Sequence, residues 1–330
     1  MLILAKASMA LMLGFVLSLI TGLFVIPLFR KLHFGQSVSK LINERHLKKE
    51  GTPTMGGIIF IIPVIVSLIL LYIKGSISIS YNLIIVIFVF LAYGLLGFID
   101  DYLKVKYHNN NGLSLVTKFL IQMCIALVFF YLFMKGGGEP VLSISFLNIY
   151  INLGWMFGLF ILFLLVGTTN AVNITDGLDG LAGGLSAIAF FAYGVISWNA
   201  GWLEGYQEIA IFCFLLVGAL IGFLVFNTHP ARIFMGDLGS LALGGALASV
   251  AIVSRHEISL AIIGGVFVIE TLSSLIQIIS IRYFNKKVFL KAPLHHHFEE
   301  IGWKETDIIK LFWVIGFILA MAAITYGVWL

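Results

Sequence analysis

Ten apolar runs separated by short polar stretches organise the chain: 3–29, 56–73, 81–99, 119–134, 154–172, 181–199, 207–226, 240–254, 259–281 and 308–329. A helix needs about 20 mostly apolar residues to cross the hydrocarbon layer. The pattern therefore predicts an all-α polytopic integral membrane protein with about ten transmembrane helices. The run 240–254 is short enough to be tilted or partly re-entrant. A membrane barrel is excluded, because its strands are ~10-residue segments of alternating polarity. The first run is too long for a signal-peptide core and is kept as a span. One stretch breaks the helical pattern. After Gly136-Gly137-Gly138, residues 141–152 partly alternate, which predicts a small extracytoplasmic hairpin. No internal repeat is visible, so 1–330 is read as a single transmembrane domain.

Composition agrees with the pattern. Of the 330 residues, 60% are hydrophobic and only 11% charged, against roughly 25% charged in soluble domains. That shortage of charge excludes a soluble globule and a disordered chain. Cys124 and Cys213 lie within apolar runs, where they read as small packing residues and not as a disulfide framework. The loops after the odd-numbered spans, with their flanking ends, hold 16 of the 20 Lys and Arg residues. The positive-inside rule puts those loops in the cytoplasm and both termini outside. The net charge of +4 then calls for no nucleic-acid partner, since basic residues beside spans follow from topology and attract anionic headgroups or substrates.

Acidic residues contribute little to orientation, yet all six aspartates, and every histidine except His256, fall on the predicted cytoplasmic side. Five polar segments carry most of them. Asp100-Asp101 ends the third span, with Lys104 one turn on. Adjacent carboxylates at a membrane boundary are either a solvated helix end or a hard-cation ligand plus a base. The run Asn170 to Gly180 mixes amides (Asn170, Asn173), carboxylates (Asp176, Asp179) and glycines directly after an apolar run. The segment Asn227 to Ser240 sets Phe234 and Asp237 at a helix start, where an acid can take a metal and backbone N–H groups can face an anion. The run Pro293 to Glu299 holds three consecutive histidines. On a helix they point about 100° apart and cannot share one metal, but beside Lys291 they suit a diphosphate or proton transfer. Finally, His46 to Gly57 leads into the second span, where Thr52 or Thr54 is expected to cap the helix and Lys49 to complete an anion site.

Taken together, these five segments resemble the polyprenyl-phosphate N-acetylhexosamine-1-phosphate transferase superfamily, and within it the phospho-N-acetylmuramoyl-pentapeptide transferase branch. The resemblance covers nearly the whole chain, with the motifs in the family's order. It implies a multi-pass enzyme of the bacterial cytoplasmic membrane with its active site facing the cytoplasm. The implied reaction joins undecaprenyl phosphate and UDP-MurNAc-pentapeptide to give lipid I and UMP, with Mg2+, in peptidoglycan synthesis. Carried over residue by residue, Asp237 binds the metal. Asp100 and Asp101 position or deprotonate the lipid phosphate. Asn173, Asp176, Asp179 and Phe234 meet the uridine and ribose, and His295, His296 and His297 meet the diphosphate or sugar, with His295 counted as catalytic. Lys49, Thr52, Lys104, Lys118, Asn170 and Asn227 complete the substrate-binding set.

Two rivals remain at this level. A sister transferase using UDP-GlcNAc shares the aspartate motifs but carries a more arginine-rich histidine motif. A transporter places ionisable groups deep within spans. The only such acid is Glu270, which equally suits a hydrogen bond to a neighbouring helix. Glu270→Gln is expected to abolish transport and to spare most catalysis in a transferase. Gly218 and Gly222 at GxxxG spacing permit a close helix contact and with it a homodimer.

Overall fold

The computed structural model describes residues 3–32, 34, 51–107, 112–144, 149–201 and 203–328. These form α1 (Ile3–Lys31), α2 (Ile58–Ile73), α3 (Tyr81–Lys106), α4 (Leu115–Lys135), β1 (Val141–Ile144), β2 (Ile149–Asn152), α5 (Met156–Thr175), α6 (Leu181–Asn199), α7 (Tyr206–Asn227), α8 (Gly236–Val253), α9 (Glu257–Ile263), α10 (Gly265–Phe284), α11 (Leu294–Glu300) and α12 (Glu305–Val328). Among the described residues, nine helices are long and apolar enough to cross a membrane, and α2 is a shorter apolar helix. Exposed Leu, Ile, Val and Phe side chains line the outer helices. A bilayer covers such faces, and water does not.

The core is built on α8, which packs against α3 and α5, while α7 packs against α1 and α6. The re-entrant alternative for 240–254 is corrected. α8 begins at Gly236, is buried almost throughout and runs unbroken to Val253. Its modest hydropathy reflects small residues that admit neighbouring groups closely: Gly244 lies against the backbone of Thr168 and Thr169, and Gly245 against the Tyr93 ring. The single span expected at 259–281 is also corrected. Gly264 separates the short α9 from α10, as paired glycines commonly allow. The third span runs seven residues further than expected, to Lys106.

The GxxxG pair does not face outward. Gly218 abuts the Leu11 carbonyl and Gly222 abuts Phe15 and Ser18, all on α1, and Ser18 Oγ donates to the Ala219 carbonyl at 2.8 Å. That close contact is spent within the chain, so it offers no surface to a second copy.

The hairpin forms where expected. β1 and β2 are antiparallel, with Val141 opposite Asn152 and Ile144 opposite Ile149; residues 145–148 lie outside the described residues. The same end of the bundle holds an Arg255–Glu139 ion pair at 2.8 Å and a bond from Ser78 Oγ to Glu208 at 2.7 Å. The opposite end gathers the polar segments.

Candidate active site

Four helices deliver the central cluster. α3 carries Asp100, Asp101 and Lys104 on its last two turns. α4, capped by Ser114, supplies Lys118 in its first turn, α5 supplies Asn173 in its last, and α8 supplies Asp237 in its first. Lys104 Nζ stands 2.6 Å from Asp100 Oδ2 and 3.1 Å from Asp237 Oδ2. Lys118 Nζ stands 2.5 Å from that same Asp237 oxygen and 3.8 Å from Asp100. Asn173 Nδ2 donates to Asp237 Oδ1 at 2.8 Å and to Ser240 Oγ at 2.8 Å. Asp101 Oδ2 accepts from the backbone N–H of Leu238 at 3.0 Å, at the positive end of α8. Asp100 Oδ1 accepts from Leu113 N–H at 2.8 Å.

Asp100 and Asp101 are buried, while Asp237 keeps 14% side-chain exposure. Gly236 makes the approach possible: its φ is +73°, and a Cβ there would collide with the Asp101 carboxylate and Thr54 Oγ1.

The 51–57 segment does something other than cap. α2 starts after Gly57 with no side-chain cap, so the expectation for Thr52 and Thr54 is corrected. Instead Pro53 O accepts from Phe234 N–H at 2.8 Å, Gly56 N–H donates to Phe234 O at 2.8 Å, and Gly57 N–H donates to Met235 O at 3.0 Å. The segment is thereby laced to the loop that carries Phe234 and Asp237. Lys49 and His46 lie outside the described residues.

A second cluster ties three further segments. Asp179 Oδ2 accepts from Ala231 N–H at 3.1 Å and lies 3.1 Å from His229 Nδ1, which is also 3.3 Å from Glu305 Oε2. Asp179 N–H donates to Glu305 Oε1 at 2.8 Å. Asn227 is buried and closes its own loop, donating to Ile233 O at 2.9 Å. Asn170 ties α5 to α4 through Gln122 Oε1 at 3.0 Å. His229 and Glu305 were not singled out in the sequence. His229 stands beside Asn227 in a motif already marked, whereas Glu305 gives no local signal, because only the fold brings α12 to this loop.

The three histidines sit on α11, each with a different partner. His295 is fully buried, with Nδ1 2.9 Å from Glu270 Oε2. His296 Nδ1 lies 2.6 Å from Glu299. Burial holds its imidazole below the ordinary histidine range, with the Glu299 carboxylate working the other way. His297 Nδ1 accepts from Leu290 N–H at 3.2 Å. Glu270, the acid deep in a span, thus bonds the histidine arm. The expectation that Glu270→Gln spares a transferase loses its basis.

Among the described residues, two groups of side chains offer ligand atoms within 4.8 Å of one another: Asp100, Asp101 and Asp237, and Asp179, His229 and Glu305. The first is all hard oxygen donors, the kind that hold Mg2+.

The chain matches the model of glycosyl transferase family 4 over residues 83–255, and signature 1 of phospho-N-acetylmuramoyl-pentapeptide-transferase over residues 49–61. It is 48% identical over 322 residues to the phospho-N-acetylmuramoyl-pentapeptide-transferase of Geobacillus sp. (strain WCH70), covering 98% of each chain. The chain belongs to the phospho-N-acetylmuramoyl-pentapeptide-transferase family. The relative of the same name from Bacillus subtilis (strain 168) is 46% identical over 319 residues, 97% of each chain, and that of Oceanobacillus iheyensis is 43% identical over 313 residues, 94% of each. Family membership separates the chain from transporters and agrees with the muramoyl-pentapeptide branch over its sister. The signature spans the segment laced to Phe234 and Met235, and the family 4 model spans the three clustered aspartates.

Proposed function

We propose that the chain transfers phospho-MurNAc-pentapeptide from UDP-MurNAc-pentapeptide to undecaprenyl phosphate, giving lipid I and UMP in peptidoglycan synthesis. The observation that carries this reading is the convergence of Asp100, Asp101 and Asp237 with Lys104 and Lys118 at one end of an apolar helix bundle. A lipid-borne phosphate at the bilayer surface can reach that end, and a water-soluble nucleotide can meet it there.

In the reaction, an oxygen of the lipid phosphate forms a bond to the sugar-bearing phosphorus. The bond from that phosphorus to the UMP oxygen breaks, and UMP leaves with the electron pair. Phosphoryl transfer of this kind depends on positioning and on neutralised charge. Lys104 and Lys118 supply two fixed positive charges beside Asp237. A phosphate monoester has a second pKa near 6 and is largely dianionic at neutral pH, so Asp100 and Asp101 chiefly position the attacking group. Asp237 has one oxygen shared by two ammonium groups and the other held by Asn173. A carboxylate so engaged is a poor nucleophile, which favours direct displacement over a covalent phospho-aspartyl route.

The residues fit Mg2+. Three carboxylates converge, and Asp100 Oδ2, although close to Lys104, lacks an aligned hydrogen bond among the described residues. Asp237 would hold the ion, with Asp100 and Asp101 beside it. When bound, Mg2+ neutralises charge on the diphosphate and on the leaving oxygen. Asp176, Asp179 and Phe234 are assigned to the nucleoside, His296 and His297 to the diphosphate or sugar, and Lys49 and Thr52 to the same anion site.

The proposal includes ten spans, with α2 as the tenth, in a single domain 1–330. At about 1.5 Å per residue, the 16 residues of α2 rise only ~24 Å, and the turn at 56–57 leads directly into them. An even number of spans and the Lys and Arg distribution support a topology with both termini outside the bacterial cytoplasmic membrane and the aspartates on its cytoplasmic face.

The test is UMP release by purified protein with undecaprenyl phosphate and Mg2+, offering UDP-MurNAc-pentapeptide and UDP-GlcNAc in parallel. Turnover with the muramoyl donor alone, lost in Asp237→Asn, is expected. Turnover with UDP-GlcNAc instead would move the chain to the sister branch.

A further inference from the structure

Glu270 is fully buried, and both of its oxygens serve one residue. Oε1 accepts from the backbone N–H of His295 at 3.1 Å, and Oε2 lies 2.9 Å from His295 Nδ1. Two turns further along α10, the buried Gln277 fastens the rest of the arm. Its Oε1 accepts from Val288 and Phe289 N–H at 3.1 and 3.0 Å, and its Nε2 donates to Phe289 O at 2.9 Å. A carboxylate only accepts, so the proton between Glu270 and His295 belongs to Nδ1, and the free choice of tautomer is removed. His295 Nε2 is then the group left over. It is buried without a hydrogen-bond partner among the described residues and faces Gly177, where a Cβ would collide with it. Gly177 follows Asp176 and lies one turn beyond Asn173, which holds Asp237.

We propose that Glu270 is a positioning residue for the transfer. It fixes the His295 ring under the 176–180 loop, and through His295 alone it sets where that loop presents Asp176 to the nucleoside diphosphate donor. The inference rests on the transferase reading. It differs from a general structural role because its effect must vanish once His295 is gone.

The experiment uses full-length protein and UMP release at varied UDP-MurNAc-pentapeptide. Glu270→Gln and His295→Ala are each expected to lower kcat/KM at least tenfold, a loss typical of orienting partners (~10–100-fold). The double variant is expected to be no worse than His295→Ala. Histidine 15N spectra are expected to show the His295 ring protonated at Nδ1, and to lose that signature in Glu270→Gln. Additive losses, a Glu270→Gln variant within twofold of wild type, or an unchanged ring signal would each overturn the proposal. Should Glu270→Gln fail to fold, Gly177→Ala replaces it. Its loss is expected to be large beside His295 and small in the His295→Ala background, and equal losses in both would overturn the proposal. A wild-type protein that releases no UMP overturns the transferase reading instead, and the ring signal still decides the Glu270–His295 pairing.

Discussion

Asn173 was assigned to the nucleoside from the resemblance, yet its side chain is committed to Asp237. Its Nδ2 donates to Asp237 Oδ1 and to Ser240 Oγ, both at 2.8 Å. A hydrogen bond to a charged group contributes about 1.5–3 kcal/mol. At about 1.4 kcal/mol per factor of ten, Asn173→Ala is expected to lower kcat/KM roughly tenfold to a hundredfold, with Asp237 free to swing toward the lysines. Asn173→Asp should be worse. It keeps the shape but sets a fourth carboxylate against Asp237, and two like charges ~4 Å apart repel by about 4 kcal/mol at an effective dielectric of 20. That is on the order of a further thousandfold. The assay is UMP release across a Mg2+ titration, since a loosened Asp237 also raises the Mg2+ concentration needed for half-maximal rate. Asn173→Ala within twofold of wild type, or Asn173→Asp more active than Asn173→Ala, would refute the argument that Asn173 serves the aspartate.

Three further outcomes are expected. Chelation of divalent ions should abolish UMP release and added Mg2+ should restore it, whereas Asp237→Asn should stay inactive at any Mg2+ concentration. Gly218→Ala drives a Cβ into the Leu11 carbonyl and should destabilise the α1–α7 contact by ~1–3 kcal/mol, read as a lowered midpoint in thermal unfolding. Burial pushes the Glu257 carboxyl from its ordinary 4.5 up to about 8, so the fold holds a proton that the unfolded chain releases. The stability this confers is present at low pH and lost as pH rises toward 8, by about 1.4 kcal/mol per pH unit. Glu257→Gln should flatten that dependence, and an unchanged pH profile would contradict it.

Much of the architecture was legible because bilayer physics writes itself along the chain. A span must satisfy its own backbone hydrogen bonds and present an apolar exterior, so run length alone located most helices, and alternation located the hairpin. Two features escaped this logic. The break at Gly264 lies inside a continuous apolar run, where hydropathy has no contrast to offer. The use of Gly218 and Gly222 within the chain was invisible because glycine spacing shows that a close contact exists but not which helix fills it. At the site, Asp100, Asp101 and Asp237 stood out as acids at membrane boundaries. Thr52 and Thr54 misled, because a cap is a local rule and here the backbone pairing with Phe234 and Met235 overrode it.

The sequence by itself determined that this chain crosses a membrane many times, which loops carry charge, and which residue types concentrate on one side. Those properties depend on composition and period within a single segment. The tertiary structure alone decided which charges meet. Lys104 and Lys118 converge on one oxygen of Asp237 from two different helices, Glu305 reaches Asp179 across 126 positions, and Glu270 is turned from an isolated acid into the support of His295. Such pairings form where a buried charge must find a partner in its surroundings, and only the folded bundle determines what those surroundings are.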